Sequence, residues 1–175
     1  MSLPKAKAYL AKFGKADKVL EFDVSSATVD LAAQAVGCEP ARIAKTLSFA
    51  VGDRTVLVVC AGDARIANPK FKAVFAAKPK MLPADEVEAR TGHAIGGVCP
   101  FGVHEDCEVY LDESLKRFDI VYPACGSSNS AIALTIDELE RMVDRGTGVL
   151  STSNNTWIDV CKLPEECTED AAAQG

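Results

Sequence analysis

At 175 residues, 48% apolar and 25% charged, the chain has the make-up of one globular domain with room for a real core. No apolar run approaches the roughly 20 residues that span a bilayer, and the N-terminal MSLPKAKAYLAKFGKADK has no apolar leader, so a cytoplasmic protein is expected. The net charge of −6 hides an asymmetry: residues 1–80 hold 13 Lys and Arg against 7 Asp and Glu, and residues 81–175 hold 6 against 18.

In chain order, residues 4–13 read as a short helix and VLEFDV (19–24) as a strand. SSATVDLAAQAVG follows with Ser25, Ser26 or Thr28 as N-cap candidates, helical spacing at Val29, Ala32, Ala33 and Val36, and Gly37 as C-cap. KTLSFAV (45–51) and RTVLVVCAG (54–62) are strands joined by a Gly-Asp hairpin turn; the second is apolar on both faces and belongs in the centre of a sheet. Helices are expected over 69–77 and 83–91, then strands CEVYLD (107–112), FDIVYPA (118–124) and SAIALT (130–135). Thr135 and Glu138 form a capping box for a closing helix whose inner face is Ile136, Leu139, Met142 and Val143. Hairpins mixed with helices, without strict βαβ alternation, favour an α+β fold. One domain over 1–150 and a polar tail over 151–175 complete the expected organisation.

Seven cysteines, an odd number with no CxxC, read as reduced thiols. Five lysines between Lys5 and Lys18, and Lys70, Lys72, Lys78 and Lys80, are either solvated helix faces or a small phosphate-binding surface. An acidic chain does not coat itself with nucleic acid by charge alone, and nothing points to DNA or a membrane as partner.

Chemistry concentrates in GHAIGGVCPFGVHEDC (92–107). A zinc reading on His93, Cys99, His104 and Cys107 lacks any close ligand pair, and a Cys99 nucleophile lacks an orienting third group for its base. No metal or cofactor is therefore expected. Gly96-Gly97 and Pro100-Phe101-Gly102 instead describe a twice-bent backbone able to aim N–H groups at an oxygen. CGSSNS (125–130) offers a second loop of small polar groups. Lys45 shares a strand face with Leu47, Phe49 and Val51, opposite Thr46 and Ser48; its ammonium either snorkels to water or sits at a pocket rim to meet an anion.

KTLSF, VLVVCAGDARI, TGHAIGGVCPFG, VYLDESL and GSSNSAIALTIDEL, in that order over about residues 25 to 145, resemble the YbaK/EbsC family of aminoacyl-tRNA deacylases, relatives of the editing domain of bacterial prolyl-tRNA synthetases. The resemblance implies a mixed, partly barrel-like sheet with surrounding helices. It also implies hydrolysis of the ester between a wrong amino acid and the 3′-terminal adenosine of a tRNA, with prolyl-tRNA synthetase as a partner. On it, Lys45 matches the family's pocket lysine, and Gly96, Gly97, Cys99, Pro100, Phe101 and Gly102 match the loop that shapes the aminoacyl pocket. Asp112 and Gly126 also match, and Thr46 and Ser127, Ser128 and Asn129 fall beside matched positions. The last loop departs from the family, since a basic pair common there is replaced by Ser127-Ser128. Lys70, Lys72, Lys78 and Lys80 are the expected contacts to RNA phosphates. The rival reading is a non-catalytic RNA-end or nucleotide-binding module with the same pocket.

Overall fold

The structure, a computed structural model, describes residues 3–144 and 157–164. Its first half runs α1 (Leu3–Ala11), β1 (Leu20–Glu21), α2 (Val29–Val36), β2 (Ile43–Val51), β3 (Arg54–Ala61), β4 (Arg65–Ile66) and α3 (Asn68–Phe75). The second half runs α4 (Val87–Thr91), β5 (Cys107–Asp112), β6 (Ile120–Pro123), β7 (Ser130–Ala131), β8 (Leu134–Thr135), α5 (Ile136–Asp144), β9 (Trp157–Ile158) and β10 (Cys161–Lys162).

Gly52, at a positive φ of 59°, and Asp53 reverse the chain between β2 and β3, which pair antiparallel from Val51↔Arg54 to Ala44↔Ala61. A mixed six-stranded sheet grows around this hairpin in the order β8-β6-β2-β3-β5-β9. β6 runs parallel to β2, and β5 runs parallel to β3. Residues 56–61 of β3 are fully buried, as a central strand apolar on both faces requires. Rings of Phe49, Phe71, Phe75 and Tyr110 stack in series at centroid distances of 4.9, 4.6 and 5.3 Å, joining β2, α3 and β5. Truncating the central Phe71 to alanine costs about 3–5 kcal/mol.

The helix signals act as the residues dictate. Thr28 Oγ1 accepts the Leu31 N–H at the start of α2, and Gly37 closes it in the left-handed conformation. Glu138 and Thr135 exchange side-chain to main-chain bonds of 3.0 and 3.2 Å, a complete capping box on α5. Leu139, Met142 and Val143 of that helix are buried.

Three expectations are corrected. The strand over 19–24 shrinks to Leu20–Glu21, because its partner β7 is itself only two residues long and the Phe22 N–H bonds the loop carbonyl of Asn129. The helix over 83–91 keeps only Val87–Thr91, after a turn closed by Glu86 N–H on Pro83 O. The boundary at 150 also fails: β9 pairs with β5, β10 pairs with β4, and Val160 is fully buried, so 157–164 belong to the folded body. The rest of the expected tail lies outside the described residues.

Candidate functional site

β2 has one edge on β3 and an outer edge shared by two partners. β6 covers Ile43 and Ala44, while residues 80–82 cover the far end, with Ala50 N–H on Lys80 O (2.9 Å) and Leu82 N–H on Ser48 O (3.0 Å). Between them on this outer edge, Lys45, Thr46 and Leu47 have no strand beside them among the described residues. Ser48 and Ala50 turn their main-chain groups outward, so by ladder alternation Thr46 turns its N–H and carbonyl into the break.

A cavity of about 490 Å³ fills this break. β2 supplies Lys45, Thr46 and Ser48; α2 and its cap supply Thr28, Val29 and Ala32; the remaining wall includes Ser26, Leu82, Val87, Val98, Tyr122, Ala124 and Ser130. Met81 and Ile95, 56% and 60% exposed, put apolar surface at its rim. Lys45 is the only charged side chain among the described lining residues. Its Nζ donates to Gly62 O (3.3 Å) and Ala64 O (2.5 Å), leaving one of its three donors for the cavity. Those two acceptors sit just past β3, and Gly62 itself packs so tightly on Pro40 and Val29 that no side chain fits. The ammonium is therefore held by main-chain carbonyls and does not snorkel freely.

The paired glycines have a packing role. A β-carbon on Gly97 would lie 2.5 Å from the Gly126 carbonyl carbon and 2.6 Å from Ser127 N; one on Gly96 would lie 3.3 Å from Ala27 Cβ and 3.4 Å from Ser128 Cβ. Three loops converge there: 25–28, 94–98 and 126–130. Ser26 N–H bonds Ser128 O at 2.5 Å, which fastens the first loop to the third. The Gly97 N–H is taken by Ala94 O (3.0 Å), so it is not the free donor that the sequence had suggested.

Of the residues singled out from sequence, Lys45, Thr46 and Gly96 line the cavity. Cys99, Pro100, Phe101 and Gly102 lie behind the wall, where Phe101 meets the Tyr9 ring and Gly102 packs against the Lys5 carbonyl of α1. His93 is fully buried beneath them, its Nε2 2.6 Å from Phe101 O and 3.5 Å from Cys99 Sγ. Burial pushes the Cys99 thiol up to about 12 and pulls His93 below its usual range, so both are neutral at physiological pH. A thiol held protonated and out of the cavity is a poor nucleophile.

Gly126, Ser127, Ser128 and Asn129 are likewise off the wall. Ser127 Oγ lies 2.9 Å from Asn129 Oδ1 and 2.7 Å from Ser130 Oγ, while Asn129 Nδ2 donates to Phe22 O, so these groups knit the loop to itself and to 20–26. Asp112 is buried away from the cavity, with its two oxygens accepting Ser114 N–H and Val160 N–H at 2.9 Å each. It ties β5 to the 157–164 segment. Lys70 is bound to Asp159 and Cys161 O on that same segment, whereas Lys72, Lys78 and Lys80 are exposed. No group of three or more metal-ligating side chains exists among the described residues, and their cysteines are free thiols. The zinc quartet does not assemble.

Sequence reading missed Ser26, Gly62, Ala64 and Val98. Ser26 carried a usable signal, since of three cap candidates only Thr28 caps α2, which leaves a serine without a local task. The others are placed by chain crossings that no local pattern encodes.

The fold is an α+β domain whose sheet edge opens onto a mostly apolar cavity with one fixed cation among its described lining residues, the concave and apolar form usual for small-molecule sites. The chain belongs to the aminoacyl-tRNA editing domain family, whose model matches residues 24–142. It is 49% identical over 163 residues to the uncharacterised protein YwhH of Bacillus subtilis, covering 93% of this chain and 98% of that one. It is 31% identical over 131 residues to EbsC of Enterococcus faecalis, described as a proposed Cys-tRNA(Pro)/Cys-tRNA(Cys) deacylase, covering 73% of each. A solved structure described as a proposed trans-editing enzyme for prolyl-tRNA synthetase shares the fold at a TM-score of 0.78 and 30% identity, over 92% of this chain and 97% of that one.

Proposed function

We propose that this protein is a trans-editing deacylase, which hydrolyses the ester of a small amino acid such as Ala, Cys or Ser on the 3′-terminal adenosine of a mischarged tRNA, tRNAPro foremost. The observation that carries the reading is Lys45, fixed by Gly62 O and Ala64 O and the one cation, with no carboxylate, among the described lining residues. A cavity of about 490 Å³ takes an aminoacyl group together with its ribose, within the roughly 300–1,000 Å³ usual for small-molecule sites.

An aminoacyl ester is already labile, so the site has to position it and stabilise the developing oxyanion. The remaining Lys45 donor and the Thr46 main-chain N–H, both facing the break in the sheet edge, serve that role in place of the Gly97 N–H. The described lining residues include no Cys, His, Asp or Glu, which supports attack by a water activated by the substrate's own ribose hydroxyl or amino group. Exposed Lys78 and Lys80 lead along the chain to Met81 at the rim and suit the acceptor-strand phosphates. Prolyl-tRNA synthetase is the partner that would supply the mischarged tRNA.

The test is deacylation of Ala-, Cys- and Ser-tRNAPro. At least one is turned over, and Lys45→Ala lowers the rate about 100-fold or more, as removal of a positioned charge-stabilising donor does. Binding of all three without turnover would instead identify a non-catalytic RNA-end module.

A further inference from the structure

Five serine and threonine side chains line the cavity, Ser26, Thr28, Thr46, Ser48 and Ser130, beside the phenol of Tyr122. Two have tasks within the protein. Thr28 Oγ1 caps α2, and Ser130 Oγ accepts the Cys125 N–H at 3.3 Å and meets Ser127 Oγ at 2.7 Å. Ser26 Oγ and Thr46 Oγ1 are different, being buried with no partner among the described residues. Ser26 is only 7% exposed, and its place is set by its main chain through the bond from its N–H to Ser128 O. A buried hydroxyl that makes no hydrogen bond has lost water without replacement, and calls for a partner from outside the chain.

The charge of the wall says what that partner carries. Lys45 is the only charged group among the described lining residues, and Tyr122 the only other titratable one, across α2, β2, residues 81–87, residues 95–98 and β6. To a donor on the ligand, the wall therefore offers only neutral oxygens. The α-amino group of an aminoacyl ester is such a donor, and α-amino groups titrate near about 8. As an ammonium it would lie in the same cavity as Lys45 with no counter-charge. As a neutral amine it can donate to a hydroxyl oxygen without that repulsion.

We infer that Ser26 is a specificity-determining residue: its Oγ accepts a hydrogen bond from the α-amino group of the bound aminoacyl ester, which the cavity takes in its uncharged form. Thr46 Oγ1, the other wall hydroxyl that is buried without a partner among the described residues, is the second acceptor. The inference rests on the deacylase reading above.

Two non-hydrolysable probes separate the two claims: 3′-(L-alanylamino)-3′-deoxyadenosine and its propionylamino counterpart, which lacks only the amino group. Affinity for the alanyl probe rises between about pH 6 and pH 9 as its amine loses a proton, and affinity for the propionyl probe stays flat. Ser26→Ala weakens the alanyl probe about five- to tenfold, the worth of one hydrogen bond between neutral groups, and leaves the propionyl probe unchanged. The unliganded variant melts no lower than wild type, since the hydroxyl has no partner among the described residues to lose.

Alanyl- and propionyl-tRNAPro esters give a second measurement: Ser26→Ala lowers kcat/KM for the first and spares the second. Thr46→Val repeats the pattern. Equal losses on both members of a pair, or tighter alanyl binding at low pH, would overturn the inference and leave the deacylase standing. No binding of either probe and no turnover of any mischarged tRNA would overturn both.

Discussion

Gly97 lies so close to Gly126 that a β-carbon on the first would stand 2.5 Å from the carbonyl carbon of the second. The contact joins the 94–98 loop to the 126–130 loop, and Ser128 O in turn holds Ser26 N–H. The paired glycine is thus a clasp between three loops, of which only Ser26, Ala27, Thr28, Ile95, Gly96, Val98 and Ser130 reach the cavity.

Gly97→Ala must push the Gly126–Ser127 peptide aside, an overpacking that costs about 1–3 kcal/mol. Because the displaced loop anchors Ser26, deacylation is expected to fall further than the loss of folded protein accounts for. Chemical denaturation and single-turnover rates on the same sample check this; a stable variant with full activity would contradict the clasp.

Cys99→Ser is expected to retain most of the proposed deacylase activity. The thiol is fully buried, held near 12 by that burial, and does not line the cavity. Alkylating reagents at neutral pH should leave wild-type activity intact for the same reason. Loss of turnover in Cys99→Ser with unchanged melting would restore the nucleophile reading.

His93 sets an acid limit on stability. Burial lowers its pKa, the bond to Phe101 O partly raises it again, and Lys5 and His104 lower it further. The unfolded chain therefore binds a proton that the folded chain refuses. This contribution is complete above the unfolded value of about 6.5 and is lost as pH falls from there toward the depressed folded value. Melting temperature should decline across that window, and the decline should flatten in His93→Gln. An unchanged profile in the variant would show that other groups govern it.

The basic residues divide by location. Lys78→Glu and Lys80→Glu should weaken tRNA binding and reduce its salt dependence, by about one unit of slope for each phosphate no longer neutralised. Lys70→Ala should leave that slope unchanged and lower stability, because Lys70 holds the 157–164 segment through Asp159 and Cys161 O. Titrations at several salt concentrations, with parallel melting curves, distinguish the two roles.

Much of this protein follows from sequence by short-range chemistry. The Gly52-Asp53 turn, the caps at Thr28 and Gly37, the Thr135–Glu138 box and the apolar run of β3 each act within a few residues, so their outcome is the same wherever the segment ends up. Strand alternation and glycine spacing singled out Lys45 and the glycine pair, and family resemblance matched them to a pocket lysine and its loop.

Tertiary structure decided what those residues do. Lys45 is fixed because the chain past β3 brings two carbonyls to it, and Thr46 faces a cavity because β6 stops short of residues 80–82 along one strand edge. Gly97 is confined by a loop 29 positions away, and Asp112 is turned from a site candidate into a brace by Val160, 48 positions on. Ser26 acquires a buried, unpartnered oxygen only when these loops close. Local spacing encodes turns and caps because their partners are near in the chain; a cavity is bounded by segments far apart in it, and only their packing brings the walls together.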